Sequence, residues 1–420
     1  MTGRSVLLGT VLVALLWGLV VLGATLAEAE EFALQTRELT ATEMQALEGM
    51  GVGVDEQPPL ELKAQPTYAS KKPYYALFPL GSGSPTGELG TRIVAFDRSK
   101  PKAQAYDLLY IDRDGDQDLA EEKPVRATRS KDNVTYFEPV TLTVSLEGKT
   151  RQVGVRVRSL NFGSGGAPAI VFFDPASCLE GTVRLSGKPC KVALVDGDLS
   201  GVFGDAVSSR GGDRLLIDLN GNGRYDPRGS FPIPAAQEIR PLSECWQVGT
   251  KWWQATVADD QRSLAVEPVE VQYGELHCRG PQLTALQLIS KRYGVFTPGL
   301  KAGAARLPVG EHWVESVQLA AKDERGRRWQ LSASRLMGGD GSIAITAEQP
   351  AELDFSKPLV GSVRAQKQAR GQVRLGLELK TAGGQQVSSL TVGGRLPPEP
   401  TFTITDASGK QVDSGKFEYG

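Results

Sequence analysis

From Tyr74 onward the chain alternates apolar and polar residues over short runs, the period-two pattern of half-buried strands. The runs include TRIVAFD, YDLLYID, VTYFEPVTLTVSLEGKTRQVGVRVRSLNF, APAIVFFD, TVRLSGKPCKVALVD and DRLLIDL, with Glu147-Gly148-Lys149 as a turn. A further hairpin is predicted in WQVGTKWWQATVADDQRSLAVEP, with Asp259-Asp260-Gln261 as its turn. Another is predicted about Asp323-Glu324-Arg325-Gly326, and the text closes on short runs such as GQVRLGLELKT and TFTITDASGKQ. Helical periodicity is confined to TATEMQALEGM, where Thr42 and Gln45 have N-cap and N3 character. The pattern predicts a mainly β protein, in which a loop-bearing β domain precedes one or two β-sandwich units of immunoglobulin-like kind.

Three of the strands run directly into Asp/Asn/Gly loops. The first carries Asp112, Asp114, Asp116 and Asp118 on alternate positions; the second carries Asp196, Asp198, Ser200, Gly201 and Asp205. The third carries Asp218, Asn220, Asn222, Gly223 and Asp226. Short oxygen-bearing side chains at positions 1, 3 and 5, with glycine for the sharp turn, are the donor set of a loop that wraps a hard cation. Asp-Gly and Asn-Gly also form plain hairpin turns without a metal, but alternate aspartates repel one another unless a cation lies among them. Calcium is therefore expected at Asp112, Asp114, Asp116 and Asp118, at Asp196, Asp198, Ser200 and Asp205, and at Asp218, Asn220, Asn222 and Asp226. None of the loops has the bidentate Glu of an EF-hand at position 12, where Lys123, Val207 and Gly229 stand. Gln117 takes the place of the usual glycine in the first loop, and Glu121, Glu122, Asp205 and Asp226 are candidates for the missing carboxylate.

Composition supports the β assignment and narrows the function. The 420 residues include 48 Gly and 25 Pro, a turn-rich mixture, and the formal net charge of −2 offers no basic surface for nucleic acid. The N-terminus places Arg4 before an apolar run from Val6 to about Leu22 and then small residues, which predicts a signal peptide over residues 1–27. The run is long enough to serve as an uncleaved anchor instead. A polar linker is expected over 28–72, the loop-bearing domain over 73–268, a sandwich unit over 269–347 and a last unit over 348–420. Cys178, Cys190, Cys245 and Cys278 all lie in the part expected to be exported, so two disulfides are predicted. Four cysteines allow three connectivities, of which Cys178–Cys190 with Cys245–Cys278 closes the shortest loops.

Few residues point to catalysis. His277 and His312 are the only histidines, and neither G-x-S-x-G nor H-E-x-x-H occurs. The Gly163–Gly166 run lacks the Lys-Ser/Thr of a phosphate loop, and Asn133-Val134-Thr135 is a glycosylation sequon or a polar turn. Trp246, Trp252 and Trp253 suit either a sugar-stacking surface or the core.

The loops resemble those of EF-hand and dockerin proteins, the third most nearly, as Asp218-x-Asn220-Gly221-Asn222-Gly223. Dockerins follow each loop with a helix, which Pro227 and Pro232 oppose here. The arrangement as a whole is similar to families of secreted proteins in planctomycete-type bacteria. That resemblance implies calcium and export and carries no activity. The expectation is a secreted, periplasmic or cell-surface calcium-binding β protein with a structural, adhesion or binding role, partnered by a surface protein or polysaccharide. A carbohydrate-active enzyme or carbohydrate-binding protein is the alternative.

Overall fold

The computed structural model describes residues 30–419 apart from 48, 81–89, 102, 104, 147, 163–165, 205–206, 208–211, 227–237, 336–340 and 368–371. The expected signal peptide, most of the Gly163–Gly166 run and Asp205 lie outside the described residues. The protein is mainly β, its strands gathered into several sheets. No helix among the described residues is long and apolar enough to cross a membrane.

The first sheet has nine strands. Eight follow the order Met50–Gly53, Pro168–Pro175, Lys149–Asn161, Val134–Phe137, Val125–Lys131, Leu108–Ile111, Thr91–Asp97 and Tyr74–Pro79, and Val140–Leu146 pairs with Lys149–Asn161. Its two ends meet where Asp55 and Tyr75 exchange backbone hydrogen bonds of 2.8 Å, so the sheet curls almost into a barrel. Strand alternation sends Phe78, Phe96, Ile111, Phe137, Val157 and Phe173 inward. Phe78 and Phe173, from strands near opposite ends of the sheet, stack with ring centroids 3.9 Å apart. At the 125–137 hairpin the sequon is a turn: Asp132 and Asn133 are both left-handed, as a tight two-residue hairpin requires.

A second core lies between a five-stranded and a four-stranded sheet. The five strands are Ile239–Pro241, Arg214–Ile217, Lys188–Val195, Ser177–Leu185 and Gln35–Glu38; the four are Glu30–Ala33, Ser263–Val269, Lys251–Val257 and Cys245–Val248. Val192, Leu194, Leu215, Ile217, Trp246, Trp253 and Leu264 fill the space between them. The segment read as a linker therefore supplies outer strands to three sheets: Glu30–Ala33 to the four-stranded, Gln35–Glu38 to the five-stranded and Met50–Gly53 to the nine-stranded. Its helix, Ala41–Ala46, starts two residues earlier than the sequence suggested. Thr40 is the N-cap, with Glu43 closing the capping box from N3. The helix covers the outer face of the five-stranded sheet, where Leu39, Met44 and Leu47 pack with Val195, Leu216 and Tyr225.

In the C-terminal third, a three-stranded sheet (Ala304–Pro308, Tyr273–Arg279, Ala351–Asp354) packs on a larger sheet. The larger sheet includes Gln282–Ser290, Gly310–Lys322, Arg328–Ser334, Gln386–Val392, Val373–Lys380 and Val360–Lys367. Leu276, Leu286, Leu288, Leu307 and Val317 form the core between the two. The boundary expected at 348 is bridged on both sheets, because Ala351–Asp354 pairs with Leu276–Arg279 and Gln386–Val392 pairs with Arg328–Ser334.

The predicted disulfides are absent: all four cysteines are free. Cys190 lies across from Val183, five residues along the strand from Cys178. That offset is about 16 Å at strand rise, far beyond the Cα separation a disulfide spans. Cys245 and Cys278 belong to different sheets and different cores. Burial raises the Cys178 thiol to about 12 and Cys190 and Cys278 to about 11. These are apolar packing groups, with little thiolate to act as nucleophile.

Candidate metal centre

Each of the three loops begins with an aspartate placed immediately after a strand: Asp112 after Ile111, Asp196 after Val195 and Asp218 after Ile217. The backbones then follow one course. Positions 4 and 6 are left-handed in all three, at Gly115 and Gln117 (φ 86° and 71°), Leu199 and Gly201 (59° and 78°) and Gly221 and Gly223 (73° and 79°). The first aspartate gathers the amides that this course turns inward. Asp112 Oδ1 accepts from Gly115 N at 2.7 Å and Oδ2 from Gln117 N at 3.3 Å. Asp196 accepts from Ser200 N at 3.0 Å and Gly201 N at 2.6 Å. Asp218 accepts from Gly221, Asn222 and Gly223 at 2.8, 3.0 and 2.8 Å. A left-handed residue at position 6 is the sharp turn for which calcium loops use glycine. Gln117 at position 6 and Leu199 at position 4 reach the left-handed region without being glycine.

In the first loop the carboxylates converge. One oxygen each from Asp112, Asp114 and Glu122 lie within 4.8 Å of one another, and so do oxygens of Asp114, Asp116 and Glu121. Glu122 is held by Arg113, whose backbone N donates at 2.7 Å and whose Nη1 lies at 3.2 Å. Asp118 turns away and accepts from Ala120 N at 2.8 Å. Burial raises the pKa of Asp112 against the opposing pull of the Gly115 amide and Arg92. Burial also raises Glu122, while exposed Glu121 is raised chiefly by the charge of Asp116. Arg92, itself buried, lies against the loop: a Cβ on Gly115 would stand 2.3 Å from its Nη1. Its Nη2 donates to Thr143 O at 2.7 Å, which ties the loop to the neighbouring strand.

The second loop is the most enclosed. Asp196, Asp198 and Asp213 bring oxygens within 4.8 Å, and Asp198 and Asp213 are buried. Burial, reinforced by Asp213 and Asp198, raises Asp196 well above the usual carboxylate range. Asp196 is partly exposed and lines a cavity of about 610 Å³ with Arg151, Val153, Cys178 and Gly201. Arg151 Nη1 donates to Gly201 O at 2.6 Å and so holds the loop against the near-barrel. Ser200 is buried; its N donates to Asp196 and Asp198, and its hydroxyl is engaged with the backbone of Val202.

The third loop is closed by hydrogen bonds between its own side chains. Asn220 Nδ2 and Asn222 Nδ2 both donate to Asp226 Oδ2 at 3.1 Å. Glu238 accepts from the amides of Leu219, Asn220 and Asp226 at 2.9, 3.1 and 2.7 Å. To act as ligands the two Asn side chains would present their carbonyl oxygens instead of their amides, a rotation that exchanges atoms of nearly equal size.

The first loop brings Asp112, Asp114 and Asp116 close to Glu121 and Glu122, and the second brings Asp196 and Asp198 close to Asp213. Asp213 and Glu238 were missed. Each stands just ahead of the next strand of the five-stranded sheet, and only strand pairing returns it to a loop that began 17 or 20 residues earlier.

The alternative sites do not assemble. Trp246, Trp252 and Trp253 are buried, with Trp246 Nε1 donating to Ser243 O at 2.9 Å and Trp252 Nε1 to Tyr273 Oη at 2.7 Å. They belong to cores and offer no sugar platform. His312 is buried with Nε2 at 2.8 Å from Pro308 O, and His277 pairs with Glu275 on the surface at 3.2 Å. No family model, curated protein or solved structure matches the chain.

Proposed function

We propose that this is an exported β protein whose strand-end loops bind calcium, and that the cations serve structure while the sheets provide a scaffold for adhesion or binding. The observation that carries the reading is the shared backbone of the three loops, left-handed at positions 4 and 6 around a leading aspartate. Carboxylates that are close together and withdrawn from water repel one another, and a hard cation relieves that repulsion. In the first loop Asp112, Asp114 and Asp116 are the ligands, with Glu122 in place of the position-12 carboxylate. In the second they are Asp196 and Asp198, with Asp213. In the third they are Asp218, Asn220, Asn222 and Asp226, with Glu238 bracing the turn. Cation at these places fastens the ends of Leu108–Ile111, Lys188–Val195 and Arg214–Ile217. The loop resemblance to dockerins, the apolar N-terminus and a surface protein or polysaccharide as partner belong to the same proposal.

Calorimetric titration tests it. Calcium should bind in roughly the 10⁻⁴ to 10⁻³ M range of extracellular modules. Millimolar calcium should raise the melting temperature, because ligand binds only the folded chain. Chelation should increase proteolysis between about Tyr106 and Asp226, and Asp112→Ala should remove the first loop's share of the heat. The absence of both heat and thermal shift at millimolar calcium would end the reading.

A further inference from the structure

The cavity beside the second loop is walled by parts of three sheets. Residues 149–153 begin a strand of the near-barrel, and residues 177–179 and Thr36 belong to the five-stranded sheet. Residues 259–262 form the turn between two strands of the four-stranded sheet. Hydrogen bonds hold these walls in place: Ala176 N donates to Gly154 O at 2.9 Å, Leu34 N to Arg262 O at 2.6 Å and Arg151 Nη1 to Gly201 O at 2.6 Å. The opening is therefore built into the packing of the sheets. Its volume of about 610 Å³ falls in the range of roughly 300–1,000 Å³ typical of small-ligand clefts, which favour such junctions.

Its lining has two kinds of surface. Val153, Leu179, Leu194 and half-buried Phe203 make an apolar part. Thr36, Lys149, Thr150, Ser177, Asp259 and Gln261 also line it, and their side chains have no hydrogen-bond partner among the described residues. These six offer hydroxyls, an ammonium, an amide and a carboxylate, so donors and acceptors are both free. Charge is matched, with Lys149, Arg151 and Arg262 against Asp196, Asp259 and Asp260. A lining so balanced gives no net field to gather an ion. It suits an uncharged ligand with an apolar face, whose edge both gives and accepts hydrogen bonds.

We infer that this cavity binds a neutral oligosaccharide. A pyranose ring joins the required properties, with C–H groups on its face and hydroxyls around its rim. The inference deepens the binding role proposed above, resting on it for the polysaccharide partner, and places the site away from the buried tryptophans. It does not depend on a cation in the second loop, since the Asp196 carboxylate is already engaged by the amides of Ser200 and Gly201. Walls fixed before binding leave little to be ordered when the ligand enters. The free polar groups then give selectivity, because an analogue lacking the matching hydroxyl leaves them covered and unpaired.

Isothermal titration of the full chain tests this. The neutral probes are the hexaoses of the cello, xylo, manno, malto and chito series; oligogalacturonate and triglycine serve as acidic and zwitterionic comparisons. At least one neutral hexaose should bind saturably. Lys149→Ala and Asp259→Ala should each weaken it by roughly fivefold to tenfold, the worth of about one hydrogen bond. Both side chains are exposed, so neither variant should move the melting temperature. Lys188→Ala, an exposed lysine outside the cavity lining, should leave binding unchanged. Repeating the titration in chelator separates this site from the calcium sites: binding that survives supports the inference alone, and binding that is lost supports it together with a cation in the second loop. No saturable heat from any neutral hexaose, or heat only from oligogalacturonate or triglycine, overturns the inference without touching the calcium titration. So does binding indifferent to both Lys149→Ala and Asp259→Ala.

Discussion

At the scale of single residues, the first loop carries a conformational cost that its neighbours do not explain. Gln117 holds φ at 71°, while the corresponding residues Gly201 and Gly223 bear no side chain at the same angle. Its recorded ties run through the backbone, from N to Asp112 and from O to the Lys63 amide. Gln117→Gly should therefore stabilise the protein by about 0.5–1 kcal/mol, the left-handed strain relieved less the added freedom of glycine when unfolded. Urea unfolding of the two proteins checks the sign; a loss of stability would show that the Gln117 side chain contributes more than the strain removes. The cysteines give a second test at this scale. Alkylation in denaturant without reductant should label all four. Cys178 and Cys190 left unlabelled together would contradict the strand positions that keep them apart.

At the scale of elements, the helix Ala41–Ala46 is too short to persist by itself and is held by its start. Glu43 serves twice: it closes the capping box on Thr40 N at 2.7 Å, and it takes Arg37 at 2.9 Å. Burial alone would raise Glu43, but the Arg37 and Thr40 hydrogen bonds outweigh it and its pKa lies below the ordinary value. A carboxylate depressed in the folded state stabilises above its unfolded pKa, and that stability is lost as pH falls through the folded value. Glu43→Gln should therefore destabilise at pH 7 by roughly 1 kcal/mol, in the range of a lost cap. The difference from wild type should shrink as pH falls from the unfolded carboxyl's value through the lower folded one, where the native carboxyl protonates. A difference that stays constant through the acid range would detach the helix from this ion pair. The same helix shows where sequence reading slips: Thr40 and Thr42 both precede usable glutamate or glutamine partners, and docking of Leu39 and Met44 decided between them.

At the scale of the whole molecule, the chain folds around more than one core, and the second loop stands where the near-barrel meets the five-stranded sheet. Arg151, from the near-barrel, reaches Gly201 of a loop that belongs to the five-stranded sheet. Under the proposal of bound calcium, its removal from Asp196, Asp198 and Asp213 should accordingly loosen a junction between sheets.

Local pattern by itself determined the strands, the hairpin turns and the leading aspartate of each loop. Period-two alternation and Asp/Asn/Gly chemistry act within a few residues and need no partner to be read. Trp246, Trp252 and Trp253 were ambiguous, since tryptophan serves core and surface, and the pairing expected of the four Cys was wrong; only packing showed the Trp buried and the Cys unpaired. The separate linker and the boundary at 348 were overridden by strands that pair across more than 50 residues of sequence. Asp213 and Glu238 reach the loops by the same means. Which carboxylates share a site is a matter of distance in space, set by sheet register, and register exists only once the chain has folded.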